Sequence, residues 1–172
     1  TTSGPGSLAW SPDGESLVYS MQGSLWVQRI DSVTARQVTN GPGYDYQPDW
    51  SSDGNHIVFV RYNRDAMELH ALEVDTGMVF QLTANSAVNV EPRWSPDGVE
   101  LAYVSTEGNG RFHIRIGEIV NSKLQSRRLV RARKSDVQRY YYSEWDHQIS
   151  PTWSPKGDEL IYVGNQEIPY GT

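Results

Sequence analysis

One pentapeptide recurs four times along the chain and restricts the folds open to it. Trp10-Ser-Pro-Asp-Gly14 returns as Trp50-Ser-Ser-Asp-Gly54, as Trp94-Ser-Pro-Asp-Gly98 and as Trp153-Ser-Pro-Lys-Gly157, with Trp-to-Trp spacings of 40, 44 and 59. A period of this size marks an array of like units. Seven residues after each Trp stands Leu17, Ile57, Leu101 or Leu160, and nine after it Tyr19, Phe59, Tyr103 or Tyr162. Apolar positions two apart define one face of a strand. Between Trp and strand, Pro presets φ, Asp bonds the backbone ahead and Gly takes positive φ, so the motif is a turn. Its Asp is read as a turn-former and not as a catalyst. Two residues before the Trp lies Pro48, Pro92 or Pro151, with Leu8 in the first copy. Proline cannot donate to a ladder, so the preceding strand is expected to be short.

Two more strands follow in each unit. The third reads Ser24–Ile30, Met67–Val74 and Phe112–Ile119, and the fourth closes in Gln37-Val-Thr39 and Gln81-Leu-Thr83. Four short antiparallel strands repeating every 40–45 residues predict an all-β fold of β-propeller blades. One blade cannot bury both of its faces, so the motif Trp residues and the alternating aromatics are read as filling between stacked blades. The predicted blades cover residues 7–39, 47–83 and 91–131, a half blade covers 150–164, and an elaborated loop spans 132–149.

About three and a half blades fall short of the four to eight that close a ring. They would leave open blade faces and a bare strand edge, which invite pairing with another chain. The expectation is a piece of a larger protein that completes its ring by self-association. Two copies would give a homodimer of about seven blade equivalents.

The loop breaks the repeat. Setting Val130 against Thr83 leaves 12 extra residues before Trp153. Charge changes at the same place: residues 1–122 carry 7 basic and 15 acidic side chains, whereas 123–139 carry 7 basic and 1 acidic. Elaborated loops on rigid scaffolds carry function. Tyr140, Tyr141, Tyr142 and Trp145 offer stacking surfaces, Asp146 and His147 polar contacts, and Arg131 and Arg133 anion contacts. These eight residues are the candidate binding site. The bland alternative is a loop that folds over the propeller face and plugs it. The rest of the surface is acidic and the net charge is −6, so no nucleic-acid partner is expected.

Reactive chemistry is hard to find. Cys is absent, which removes disulfides, thiolate metal sites and a Cys nucleophile. His56, His70, His113 and His147 show no metal-ligand spacing, and the first three are read as exposed strand residues. Asp45 and Asp49 are read either as lining a pore entrance or as solvated loop carboxylates. No Gly-x-Ser-x-Gly elbow is present, and no apolar run is long enough for a membrane helix. No catalytic residue, metal or cofactor is expected.

The Trp-Ser-Pro-Asp-Gly repeat, its trailing Leu-x-Tyr or Ile-x-Phe strand and its closing Leu-Thr resemble the TolB-like β-propeller family over residues 7–164. The segment Arg139–Trp153, with Asp146-His-Gln-Ile-Ser-Pro151, is most similar to the propeller of proteins that join it to an amidohydrolase domain. That resemblance implies a periplasmic or extracellular protein whose hydrolytic, metal-binding domain would lie downstream. The metal-binding His residues of that group have no counterparts here, so no catalysis carries over.

The leading expectation is a non-catalytic module that binds a protein or peptide partner. The competing ones are a propeller enzyme acting at a central pore, and the accessory propeller of a hydrolase of amidohydrolase or prolyl-oligopeptidase type.

Overall fold

The computed structural model describes residues 4–130 and 147–164. Its strands are β1 (Leu8–Trp10), β2 (Ser16–Met21), β3 (Ser24–Arg29), β4 (Ala35–Gln37), β5 (Tyr44–Trp50), β6 (His56–Asn63), β7 (Ala66–Glu73), β8 (Val79–Gln81), β9 (Asn89–Trp94), β10 (Glu100–Ser105), β11 (His113–Val120), β12 (Lys123–Leu129), β13 (Gln148–Trp153) and β14 (Leu160–Gly164). They form three four-stranded antiparallel sheets in sequence order and one two-stranded sheet, β13–β14. These are the blades of a partial propeller. The first strands of successive blades touch one another, β1 on β5, β5 on β9 and β9 on β13, so they form the inner edge of the array.

The repeated turn is built alike in the first three blades. The hydroxyls of Ser11, Ser51 and Ser95 donate to Asp13, Asp53 and Asp97. Each carboxylate also accepts a backbone N–H two residues on, from Glu15, Asn55 or Val99. These bonds hold the three carboxyls below the usual Asp range. In the fourth turn Lys156 stands where the Asp is missing, and Ser154 donates instead to Asp158 at 2.8 Å. The turn is kept by a different carboxylate.

Joints between blades bury the two strand faces that the alternation predicts. Val18 and Leu25 of the first blade pack with Ile57, Phe59 and Leu72 of the second, and Trp50 lies against this cluster. Val58, Val60, Leu69 and Ala71 of the second pack with Leu101 and Tyr103 of the third, beside Trp94. Trp10 departs from the expectation. It is 56 % exposed, because no described blade lies on its side of β1.

The expectation about proline is corrected. Strands β5, β9 and β13 have 7, 6 and 6 residues, against 3 in proline-free β1. Each proline sits in a β-bulge where the register shifts, between Tyr46 and Asp49 in β5, opposite Ala102–Val104 in β9, and between Ile149 and Thr152 in β13. A bulge residue needs no ladder bond, so the missing N–H costs nothing there. The residue before each proline is left-handed: Gln47 at φ 50°, Glu91 at 54° and Ser150 at 55°.

Candidate functional site

The three left-handed residues do more than turn the strand. The N–H of Gln47 donates to Ser7 Oγ at 2.8 Å, that of Glu91 to Gln47 Oε1 at 3.0 Å, and that of Ser150 to Glu91 Oε2 at 2.6 Å. Ser7, Gln47, Glu91 and Ser150 each stand three residues before a motif Trp. The bulge frees a backbone donor in each of the three later sheets, and the equivalent side chain of the preceding blade accepts it. The result is a polar ladder along the inner edge. A parallel set of bonds runs the same way: Trp94 N–H donates to Asp49 Oδ2 at 2.7 Å, and Trp153 Nε1–H to the Arg93 carbonyl at 3.1 Å. Burial pushes the Asp49 carboxyl up to about 6, against the pull of the Trp94 N–H and of Arg93. Asp49 is thus a joint residue, neither a pore-entrance group nor a solvated loop carboxylate.

Five residues before each motif Trp after the first lies a second polar layer, Asp45, Asn89 and Gln148, all buried. Asp45 is held by Arg61 through Nε–Oδ1 at 2.6 Å and Nη2–Oδ2 at 2.7 Å, with the guanidinium 5.3 Å from the Phe59 ring centroid. Here too the solvated or pore-lining readings give way to a buried ion pair. Gly41 and Gly43 make room for it, since a Cβ on either would stand within 3 Å of the Arg61 side chain. Asn89 donates to Glu68 Oε2 at 3.0 Å and accepts from Ser105 at 2.8 Å. Thr83 and the Ser86 N–H complete the shell around buried Glu68.

Gln148 shows how the third blade copes with a break in the repeat. In the first two blades the closing Thr accepts a third-strand N–H, Leu25 to Thr39 and Leu69 to Thr83, both at 2.9 Å. The N–H of Val38, Leu82 and Val130 bond the carbonyls of Leu25, Leu69 and Ile114. Val130 therefore matches the residue before the Thr, one place away from its sequence-based alignment. The Ile114 N–H is taken by Gln148 Oε1 at 3.2 Å instead.

These bonds tie both feet of the predicted loop to the start of β11. One foot is Val130 N–H on the Ile114 carbonyl at 2.8 Å, the other Gln148 N–H on the Phe112 carbonyl at 2.8 Å. His147 Nδ1 accepts the Phe112 N–H at 3.3 Å, and its ring lies 5.5 Å from the Phe112 ring. Of the eight predicted site residues only His147 is described. Arg131, Arg133, Tyr140, Tyr141, Tyr142, Trp145 and Asp146 lie outside the described residues.

The remaining histidines are corrected as well. His56 and His70 are half-buried, and His113 is 2 % exposed with its Nδ1 lacking a partner. Burial, then His147 and Arg115, lower the tendency of His113 to protonate. His70 stacks on Phe59 and is likewise biased toward neutrality by burial. Period-two patterning puts these side chains on blade faces, but only a neighbouring blade makes such a face an interior.

A cleft of about 350 Å³ opens between the second and third blades, lined by His56, Phe80, Trp94, Val99, Ile119 and Ser122 among others. The indole N–H of Trp94 has no partner, whereas that of Trp50 bonds the Gly54 carbonyl at 2.9 Å. Among the described residues no three His, Asp or Glu side chains are grouped to hold a metal, and no helix is long and apolar enough to cross a membrane. The chemistry on view is hydrogen bonding and apolar packing at blade joints.

Known proteins share this architecture. The chain is similar to TolB from Acinetobacter baumannii, with a TM-score of 0.72 over 93 % of this chain and 37 % of that one, at 20 % identity, a likeness of fold. It is 29 % identical over 160 residues to the uncharacterized protein Atu1656 of Agrobacterium fabrum, covering 90 % of this chain and 53 % of that protein. It is 28 % identical over 83 residues to a probable dipeptidyl-aminopeptidase B of Talaromyces stipitatus, covering 38 % of this chain and 9 % of that protein. The chain thus spans about half the length of Atu1656 and a small part of the peptidase. The family model of the TolB beta propeller domain matches residues 6–167, and with its blades and inner-edge bulges the chain belongs to that family.

Proposed function

We propose that the chain is a non-catalytic interaction module of a periplasmic or extracellular protein. It binds a protein or peptide partner through the 132–149 connection, and copies of it complete a ring by self-association. The observation that carries the binding role is the double anchorage of that connection, with Val130 and Gln148 tied to β11 within two residues of each other. The connection between these two feet is rich in Tyr and Arg, and elaborated loops on a scaffold are where recognition is carried. Tyr140, Tyr141, Tyr142 and Trp145 are the stacking groups, Arg131 and Arg133 select anionic side chains, and Asp146 and His147 set the register of the bound segment.

Selection of a displayed random-peptide library on the immobilised chain tests this reading. Enriched peptides should carry acidic and apolar residues, and their binding should fall at least tenfold in Tyr141→Ser/Trp145→Ser. Peptides that bind the double variant as well as the parent would overturn it.

The partial match to a dipeptidyl-aminopeptidase supports a second reading, the accessory propeller of a hydrolase. In that case the peptides selected should be substrates or segments of the hydrolase domain.

A further inference from the structure

Two Asn-Gly pairs occur in the sequence, Asn40-Gly41 and Asn109-Gly110. The dipeptide has a chemistry of its own. The glycine backbone nitrogen can attack the asparagine side-chain carbonyl carbon, because glycine carries no Cβ to block the approach and turns freely. Both asparagines are exposed, yet the fold treats the two pairs differently.

At Asn109 the groups that must move are held. The Gly110 N–H donates to the Thr106 carbonyl at 3.0 Å. The Asn109 side chain accepts the Arg111 N–H through Oδ1 at 3.0 Å and donates through Nδ2 to His113 Nε2 at 3.0 Å. At Asn40, among the described residues, nothing bonds the side chain and nothing accepts from the Gly41 N–H. Residues 41–43 that follow form a tight strap over Arg61. A Cβ on Gly41 would stand 2.7 Å from Arg61 Cζ, and one on Gly43 2.9 Å from Arg61 Cγ. Pro42 joins the two glycines with its φ fixed by the ring. Under this strap lies the Arg61–Asp45 ion pair, whose carboxylate is 1 % exposed.

We propose that Asn40 is a site of spontaneous covalent modification, and that its product loosens the joint between the first and second blades. The Gly41 nitrogen gives its proton to solvent base and bonds Asn40 Cγ. The Cγ–Nδ2 bond breaks, and the nitrogen leaves as ammonia after taking a proton from water. Water then adds to one of the two carbonyls of the succinimide and opens the ring. Opening on one side gives aspartate. Opening on the other gives isoaspartate, in which the side-chain methylene has become part of the backbone. The net change consumes one water and releases one ammonia, with no oxidant or reductant. Either product sets a new carboxylate one residue from the glycine that lies on the Arg61 guanidinium, a change of charge beside an existing ion pair. Isoaspartate also lengthens the backbone just ahead of a strap that has no space between itself and Arg61. Both effects act on the Asp45–Arg61 pair. The Asp45 N–H is itself a bond of this joint, donated to the Gly23 carbonyl of the first blade at 3.0 Å.

Incubating the folded chain in mildly alkaline buffer and mapping its peptides by mass, with enzymatic methylation to reveal isoaspartate, reads the site directly. Asn40 should convert at least tenfold faster than Asn109, and the two rates should converge in concentrated urea, where the fold no longer separates them. Hydrogen exchange then reads the joint. Converted chain, separated by its added charge, should exchange the Asp45 N–H at least tenfold faster than fresh chain. The Glu91 N–H, which bonds Gln47 at the next joint, should be unchanged. Asn40→Gln, in which attack would have to close a larger ring, should keep both amides slow through the same incubation. Conversion of Asn40 no faster than that of Asn109 in the folded chain would overturn the site. Conversion without faster exchange at Asp45, or with an equal gain at Glu91, would overturn its action on the first joint.

Discussion

Strands β6 and β14 are the same strand of the repeat and have opposite fates. In β6 four consecutive residues, Ile57, Val58, Phe59 and Val60, are completely buried. In β14 the matching run is Leu160, Ile161, Tyr162 and Val163, as apolar as the first, yet Ile161 and Val163 stand largely in solvent. Composition and alternation are shared, and the neighbours differ. A blade face becomes core only when another blade lies on it, so burial here is a property of the joint.

The sharpest test of this contrast is truncation at matched sites. Phe59→Ala should cost about 3–5 kcal/mol, the usual range for a buried aromatic, and Ile161→Ala less than about 0.5 kcal/mol in the monomer. Urea titration of both variants measures the difference, and equal losses would mean that β14 is covered in solution. A comparable effect is expected from Asp45→Ala, because Arg61 would be left as a buried cation without its partner. Removing one member of such a pair costs about 3–5 kcal/mol, whereas loss of the exposed Arg29–Glu15 contact should leave the melt nearly unchanged, because solvent screens it. Parallel melts of Asp45→Ala and Glu15→Ala make that comparison.

Asp49 gives a pH signature to the joint between the second and third blades. Its folded-state pKa is raised, to about 6, so the folded chain holds this proton more tightly than the unfolded one. The stability it contributes is therefore full at low pH and is lost as pH rises through about 4 to 6. Asp49→Asn keeps an acceptor for the Trp94 N–H without a buried charge. Its melting temperature should match the parent near pH 4 and exceed it above pH 6, by an amount worth roughly 3 kcal/mol. A constant offset across this range would show that desolvation of Asp49 is not what separates the two proteins.

The smallest effect is expected in the ladder. Gln47→Ala removes the acceptor for Glu91 N–H and keeps a left-handed non-glycine residue, a loss of about 1–2 kcal/mol. Gln47→Gly removes the same bond but relieves the backbone, and should recover roughly half of that loss. Identical melts for the two variants would mean that φ at position 47 carries no strain.

The sequence shows the strands, their pairing and the joint faces openly, because each rests on local chemistry that is repeated. Trp-Ser-Pro-Asp-Gly is a turn in any surroundings, and Leu17-x-Tyr19 alternates whatever lies opposite. The inner-edge ladder is harder to read. Its positions hold Ser7, Gln47, Glu91 and Ser150, whose common property is an acceptor oxygen, and a search for identical residues passes over them. The Trp-minus-five layer hides for the same reason: Asp45, Asn89 and Gln148 are each buried and each satisfied by different partners. A polar residue before a strand reads as solvated loop when its burial comes from segments distant in the chain. Gln148 in the role of the closing Thr is a substitution across 34 positions, which no local pattern announces.

What the sequence determined alone is the blade, because turn conformation and strand alternation are set by residues within a few places of one another. The tertiary structure decided which faces are interior, which carboxylates are buried, and where the bulges send their freed N–H groups. Each of those depends on a neighbouring blade roughly 40 or more residues away, and burial and hydrogen-bond satisfaction are defined only once that neighbour is in place.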